Sequence, residues 1–180
     1  MNVAKLERIY RGISFLRIDI GVDRLMKAED AGGTGPTYMV EAYKRWTSAA
    51  QNGFTKEQDF FADRFPFGPN FKIDVDADNP KAFRFEIIMP AGNDSGRYTR
   101  HVSQITGSVV AEHPIKEMHA DMMIEYDACK RSRLASAYRL THNVNGFVRD
   151  YARLLLPVCD RQGKVTALMG YARHFEVPSG

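Results

Sequence analysis

With 180 residues, the chain has room for one domain plus an extension. A chain of this size buries roughly 70% of its unfolded surface, so it builds a core without disulfide or metal staples. Hydrophobic content of 44% and charged content of 26% are those of an ordinary soluble globule, and a net charge of +3 is too small to demand a nucleic-acid partner. No stretch approaches the roughly 18 apolar residues of a membrane helix. No secretory signal is visible, so no membrane association and a cytoplasmic location are expected. Two cysteines, Cys129 and Cys159, are too few for a disulfide framework and are expected as reduced thiols.

Residues 1–30 fit two periods. Leu6, Ile9, Ile13, Leu16 and Ile20 stand at helical spacing, while Leu16, Ile18 and Ile20 also alternate with Arg17 and Asp19. A mostly helical extension is the preferred reading. Ala31-Gly32-Gly33-Thr34-Gly35-Pro36 is the clearest linker, dividing the chain into an extension at 1–36 and a domain at 37–180. A helix follows Pro36 to about Asn52, with Met39, Ala42, Tyr43, Trp46 and Ala50 as its apolar stripe and Gly53 as its cap.

The phenylalanine-rich segment 54–70 reads as a short helix and an irregular connection. Phe71-Lys72-Ile73-Asp74-Val75 alternates as a strand, and a second strand begins at Phe83. Residues 97–110 read as short helical pieces with a bend at Thr106-Gly107-Ser108. The strongest helix opens at Pro114 and runs to about Ser132, with Ile115, Met118, Met122, Tyr126 and Cys129 in one stripe. Three strands follow from Ser136 to Phe175. Asn145-Gly146 turns the first into the second and Asp160-Arg161-Gln162-Gly163 the second into the third.

Strand, strand, short helices, long helix and strand meander is an order that resembles a PAS domain. Three segments carry the likeness to a bacterial subclass: Glu41 to Trp46 in the preceding helix; Phe83-Arg84-Phe85-Glu86-Ile87 followed by Gly92; and Tyr151-Ala152-Arg153-Leu154-Leu155-Leu156-Pro157-Val158, followed by Asp160 to Gly163 and Val165. The resemblance spans about residues 38–175. It implies an α+β fold with a five-stranded antiparallel sheet, helices on one face, a ligand space between them, and signalling through flanking helices, often in dimers. A bacterial PAS-like module with no kinase, cyclase or DNA-binding part after Gly180 is expected to act as a sensor through a protein signalling partner or as a homodimer. Fold analogy constrains architecture better than function.

The expected ligand-binding lining is Ile115, Met118, His119 and Met122 from the long helix, with Tyr138, Leu140, Leu154 and Leu156 from the strands. Leu154 and Leu156 are chosen because their face of the strand is wholly apolar, whereas the other carries Tyr151 and Arg153. His119 is the candidate axial ligand should the cofactor be haem, against the blander reading of a boundary histidine on a methionine-rich face. A flavin–cysteine adduct is not expected, since residues 97–110 contain no cysteine. Asp74, Asp76 and Asp78 begin like a calcium loop, but Asn79 stands where glycine is required and Phe85 where glutamate is. Gly32-Gly33-Thr34-Gly35 lacks the ending of a P-loop. Lys130, Arg131 and Arg133 suit the negative end of a helix better than a nucleic-acid patch. Ser136, His142 and Asp150 are the residue types of a nucleophilic triad, but nothing local brings them together. A non-enzymatic binding module is therefore expected, with a non-liganded dimerisation module as the alternative. The sign of that alternative is a filled core with an apolar exposed face on residues 3–20 or 38–50.

Overall fold

The computed structural model describes residues 5–10, 13–22, 37–51, 55, 57–60, 70–87, 106–112, 116–144 and 147–175. Its elements in chain order are β1 (Lys5–Tyr10), β2 (Ile13–Asp19), α1 (Thr37–Gln51), β3 (Phe71–Asp74), β4 (Arg84–Ile87), α2 (Lys116–Ser132), β5 (Ser136–Val144), β6 (Phe147–Cys159) and β7 (Val165–Phe175). Short 3-10 turns occupy Glu57–Phe60, Pro80–Ala82 and Val110–Glu112. The strands form one seven-stranded sheet in the order β1-β2-β5-β6-β7-β3-β4. Every pairing is antiparallel. The α+β class is as expected.

The helical reading of the first segment is overturned: Lys5–Tyr10 and Ile13–Asp19 are a β-hairpin whose second strand pairs with β5 from Ile13↔Val144 to Asp19↔Tyr138. Ile9, Tyr10, Ile13, Phe15 and Ile18 are β-branched or aromatic residues that suit a pleated surface. The ladder offered by β5 then satisfies a row of backbone groups that an isolated helix would leave to its own short length. The sheet therefore carries two strands beyond the expected five.

The expectation of helices on one face is also corrected. β6 is buried on both sides from Tyr151 to Val158, and a strand covered on both faces loses the polar side of its alternation. On one face, Phe71, Ile73, Phe85, Leu140, Tyr151, Leu155 and Leu168 pack with Met122, Tyr126 and Cys129 of α2. On the other, Ala137, Ala152, Leu154, Leu156, Met169 and Tyr171 pack with Met39 and Ala42 of α1 and with Phe60.

Local chemistry fixes these elements. Asp160 Oδ1 accepts from the backbone N–H groups of Gln162 and Lys164, both at 2.9 Å, and Gly163 takes φ +78°, so the β6–β7 turn forms as read from sequence. Pro157 lies in β6 beyond Leu155, the last residue paired with β5 at that end. On that side its carbonyl accepts from Trp46 Nε1 at 2.7 Å and from Thr55 Oγ1 at 3.4 Å. Thr55 also exchanges backbone contacts with Cys159, its N–H donating to the Cys159 carbonyl while its Oγ1 accepts from Cys159 N. A proline is tolerated here because the strand has run past its neighbour. Gly170, paired with Phe71, leaves room for the Phe71 ring where a Cβ would stand. The Asn145–Gly146 turn, the 31–36 linker and the Gly53 cap lie outside the described residues.

Candidate functional site

α2 does not meet the sheet through apolar side chains alone. Met122, Tyr126 and Cys129 point into the interface, and Asp121 and Glu125, each one residue earlier on the same turns, are equally buried. Opposite them, cross-strand pairing puts Arg17, Leu140 and Tyr151 in one row and Asp19, Tyr138 and Arg153 in the next. Directly opposed residues share a face, so β2, β5 and β6 present Arg17, Tyr138 and Arg153 to α2.

The centre of the site is Glu125 with Arg153, whose side chains are 1% and 5% exposed. Glu125 Oε2 accepts from Arg153 Nη2. The same oxygen lies 3.7 Å from Arg17 Nη1, whose side chain is 18% exposed. Arg17 Nη1 also donates to the backbone carbonyl of Asp121 at 3.4 Å. Aromatic rings complete the surroundings. The Arg153 guanidinium lies 5.6 Å from the Tyr126 ring centroid and its Nη1 donates to Tyr126 Oη at 3.5 Å. The Arg17 guanidinium lies 5.1 Å from the Tyr138 ring centroid.

The buried Glu125 and Arg153 are paired with each other, as charges taken out of water must be, and Arg17 adds a second, more exposed cation. Burial pushes the Glu125 carboxyl above its ordinary range, with Arg153 and Arg17 opposing and Asp121 adding to the rise. Burial alone would lower the Arg153 guanidinium, but the charge of Glu125 and then of the neighbouring tyrosines outweighs it, and the net direction is upward. With two guanidiniums on one oxygen, the carboxylate is the form of Glu125 that balances the site at neutral pH. Burial also pushes Tyr138 up to about 12 and the Cys129 thiol up to about 12. Glu125 Oε2 thus joins α2 to β6 through Arg153 and to β2 through Arg17, while Glu125 Oε1 and Arg153 Nε are buried without a hydrogen-bond partner among the described residues.

Of the expected lining, Met122 and Leu140 are buried together in the α2-facing cluster, and Tyr138 packs at its margin. Leu154 and Leu156 belong to the opposite face, packed with Met39 and Phe60. Their expected meeting with α2 is thus corrected. The face that meets α2 is the one bearing Tyr151, Arg153 and Leu155, where Glu125 supplies the counter-charge to the inward-turned Arg153. Ile115 lies outside the described residues, as do the side chains of Met118 and His119, whose backbone is in the first turns of α2.

Arg153, Glu125, Asp121 and Arg17 were not read from sequence. The signals were an arginine interrupting the most apolar strand, and two acidic residues four positions apart, each one residue before a member of the apolar stripe of α2.

His142 is buried on the α2-facing side, 5.3 Å centroid to centroid from Tyr151 in an edge-on arrangement. Asp150 faces the other way, held by Arg139 at 3.1 and 2.6 Å, so Ser136, His142 and Asp150 do not form a triad. Asp74 Oδ1 accepts from Asp76 N at 3.0 Å and Asp76 pairs with Lys164 at 2.6 Å, a turn and a surface ion pair in place of a calcium loop. Among the described residues, no group of three or more His, Cys, Asp or Glu is placed to hold a metal ion, and no helix is long and apolar enough to cross a membrane.

Comparisons with protein-family models, with curated proteins and with solved structures returned no match.

Proposed function

We propose that this chain is a PAS-like sensory module that binds a small molecule between α2 and the sheet and passes the event to a protein partner by shifting α2. The observation that carries this reading is the buried Glu125–Arg153 pair, shared with Arg17, in the seam between α2 and the sheet. A seam does not need such a pair to hold, since apolar residues of the same volume often serve about as well. Buried, coupled ionisable groups are instead frequent where proteins bind or switch. The element order supports the family resemblance: β3 and β4, the short helical turn Val110–Glu112, α2, then the β5–β7 meander, all five strands in one antiparallel sheet.

The dimerisation alternative keeps one of its expected signs, the packed clusters on both faces of the sheet, and lacks the other on α1. The apolar stripe of α1 faces the sheet through Met39 and Ala42, and Glu41, Lys44, Ser48 and Gln51 face solvent.

The test is native mass spectrometry of the purified protein alongside its absorbance spectrum. A noncovalent mass above that of the chain, retained under gentle conditions and lost on unfolding, is the expected result. A Soret band abolished in His119→Ala would make that ligand haem. A bare mass that stays bare after incubation with haemin and with a metabolite extract would contradict the reading.

A further inference from the structure

The β1–β2 hairpin touches both layers that cover the sheet. On the α2 side, Arg17 reaches the Asp121 carbonyl, Glu125 and the Tyr138 ring. On the α1 side, Ile20 and Val22, just after β2, pack against the cluster of Met39, Phe60 and Leu154, and the Ile20 N–H donates to the Ala137 carbonyl at 3.1 Å. Arg17 and Ile20 stand three residues apart where β2 ends, and β2 pairs with β5 along its whole length.

We infer that Arg17 is a coupling residue, through which a displacement of α2 is transmitted along β2 to the α1 face of the sheet. The distances rank the contacts. Arg153 holds Glu125 in direct hydrogen-bond contact, whereas Arg17 holds it at 3.7 Å and the Asp121 carbonyl at 3.4 Å. When α2 moves, the Arg17 contacts break before that of Arg153. Arg17 is also the more exposed of the two arginines, so its guanidinium exchanges a carboxylate for water at lower cost. Nearer its C-terminal end α2 is held by Lys130 Nζ, which donates to the Ala77 carbonyl at 2.8 Å, so the turn carrying Asp121 and Glu125 is held by the two arginines instead. The inference goes beyond the proposed binding role and stands whether the event that moves α2 is a small molecule or a partner.

Hydrogen exchange read residue by residue on the full chain tests it. Arg17→Met keeps the length and apolar stem of the side chain and removes its charge. It is expected to speed exchange of the β2 amides and of the α2 amides around Asp121 to Glu125 by roughly three- to thirtyfold, with the β6–β7 ladder unchanged. Ile20→Ala, which loosens the contact with the α1-side cluster just after β2, is expected to speed exchange in the same turn of α2, and to add nothing there once Arg17→Met is present. A change confined to β2 in either variant, with α2 exchanging at the wild-type rate, would overturn the inference. So would equal acceleration throughout the sheet, the mark of a merely structural residue. Should either variant fail to fold, Arg17→Lys, which keeps the charge but not the fork, takes its place and is expected to give a smaller change of the same pattern.

Discussion

The Glu125 carboxylate and the Arg153 guanidinium meet out of water, between the middle of α2 and the central strand β6. Removing either partner alone strands the other charge in a seam that cannot hydrate it. Glu125→Gln and Arg153→Met are each expected to cost about 3–5 kcal/mol of folding stability. The double variant Glu125→Leu/Arg153→Met is expected to recover much of that loss, because an apolar pair needs no counter-charge. Urea unfolding followed by circular dichroism reads all three. Additive losses in the double variant would show that the two side chains do not act as a pair.

A second expectation concerns Gly170 and Phe71. The Phe71 ring occupies the space into which a Cβ at Gly170 would project. Gly170→Ala forces the ring aside in a filled core, at a cost of about 1–3 kcal/mol. Phe71→Leu, destabilising by itself, is expected to cost less in the Gly170→Ala background than in wild type. A thermal melt of the four proteins checks this, and an unchanged midpoint in Gly170→Ala would place the ring elsewhere.

Trp46 and Pro157 provide a third. The indole N–H donates at 2.7 Å to a carbonyl that β5 does not reach. Trp46→Phe keeps a ring but removes the donor, and is expected to lower stability by about 1–3 kcal/mol. Trp46 is the single tryptophan of the chain, so its fluorescence in the wild type reports the docking of α1 directly. Coincidence of that signal with the circular-dichroism transition is the expected result.

Alkaline pH gives a fourth. Burial raises Tyr38 and Tyr138 from 10.0 to about 12 and Cys129 from 9.0 to about 12. For acids raised on folding, the unfolded chain releases its protons first, so the stabilisation is complete below pH 9 and is lost as pH climbs toward about 12. The melting temperature is expected to fall across that interval, and the phenolate absorbance of the folded protein to lag that of the unfolded chain. A melting temperature independent of pH there would contradict the burial of these groups.

Much of the architecture was legible because it is local. Alternation and turn chemistry gave the β5–β7 meander, and 3.6-residue stripes gave α1 and α2. The first segment was misread for a physical reason. Leu6, Ile9, Ile13, Leu16 and Ile20 satisfy a helical period while Leu16, Ile18 and Ile20 alternate as in a strand, and what decides between them is the β5 edge, far away in the sequence. The face of β6 was misread for another. A strand buried on both sides offers no polar face by which to orient it, so Arg153 looked outward while Leu154 and Leu156 looked like the lining. Only the acidic residues of α2 reveal that the charged face is the inner one. They were visible at the right spacing, but their meaning depends on a partner that three-dimensional packing brings close.

We propose that α2 closes over a bound small molecule and is moved by it. The most direct measurement compares hydrogen exchange in α2 between protein as purified and protein stripped of small molecules by unfolding and refolding, with native masses recorded for both. The account predicts a lower native mass after stripping and faster exchange around Asp121 to Glu125, with the β6–β7 ladder unaltered. Identical masses and identical exchange in the two preparations would contradict it.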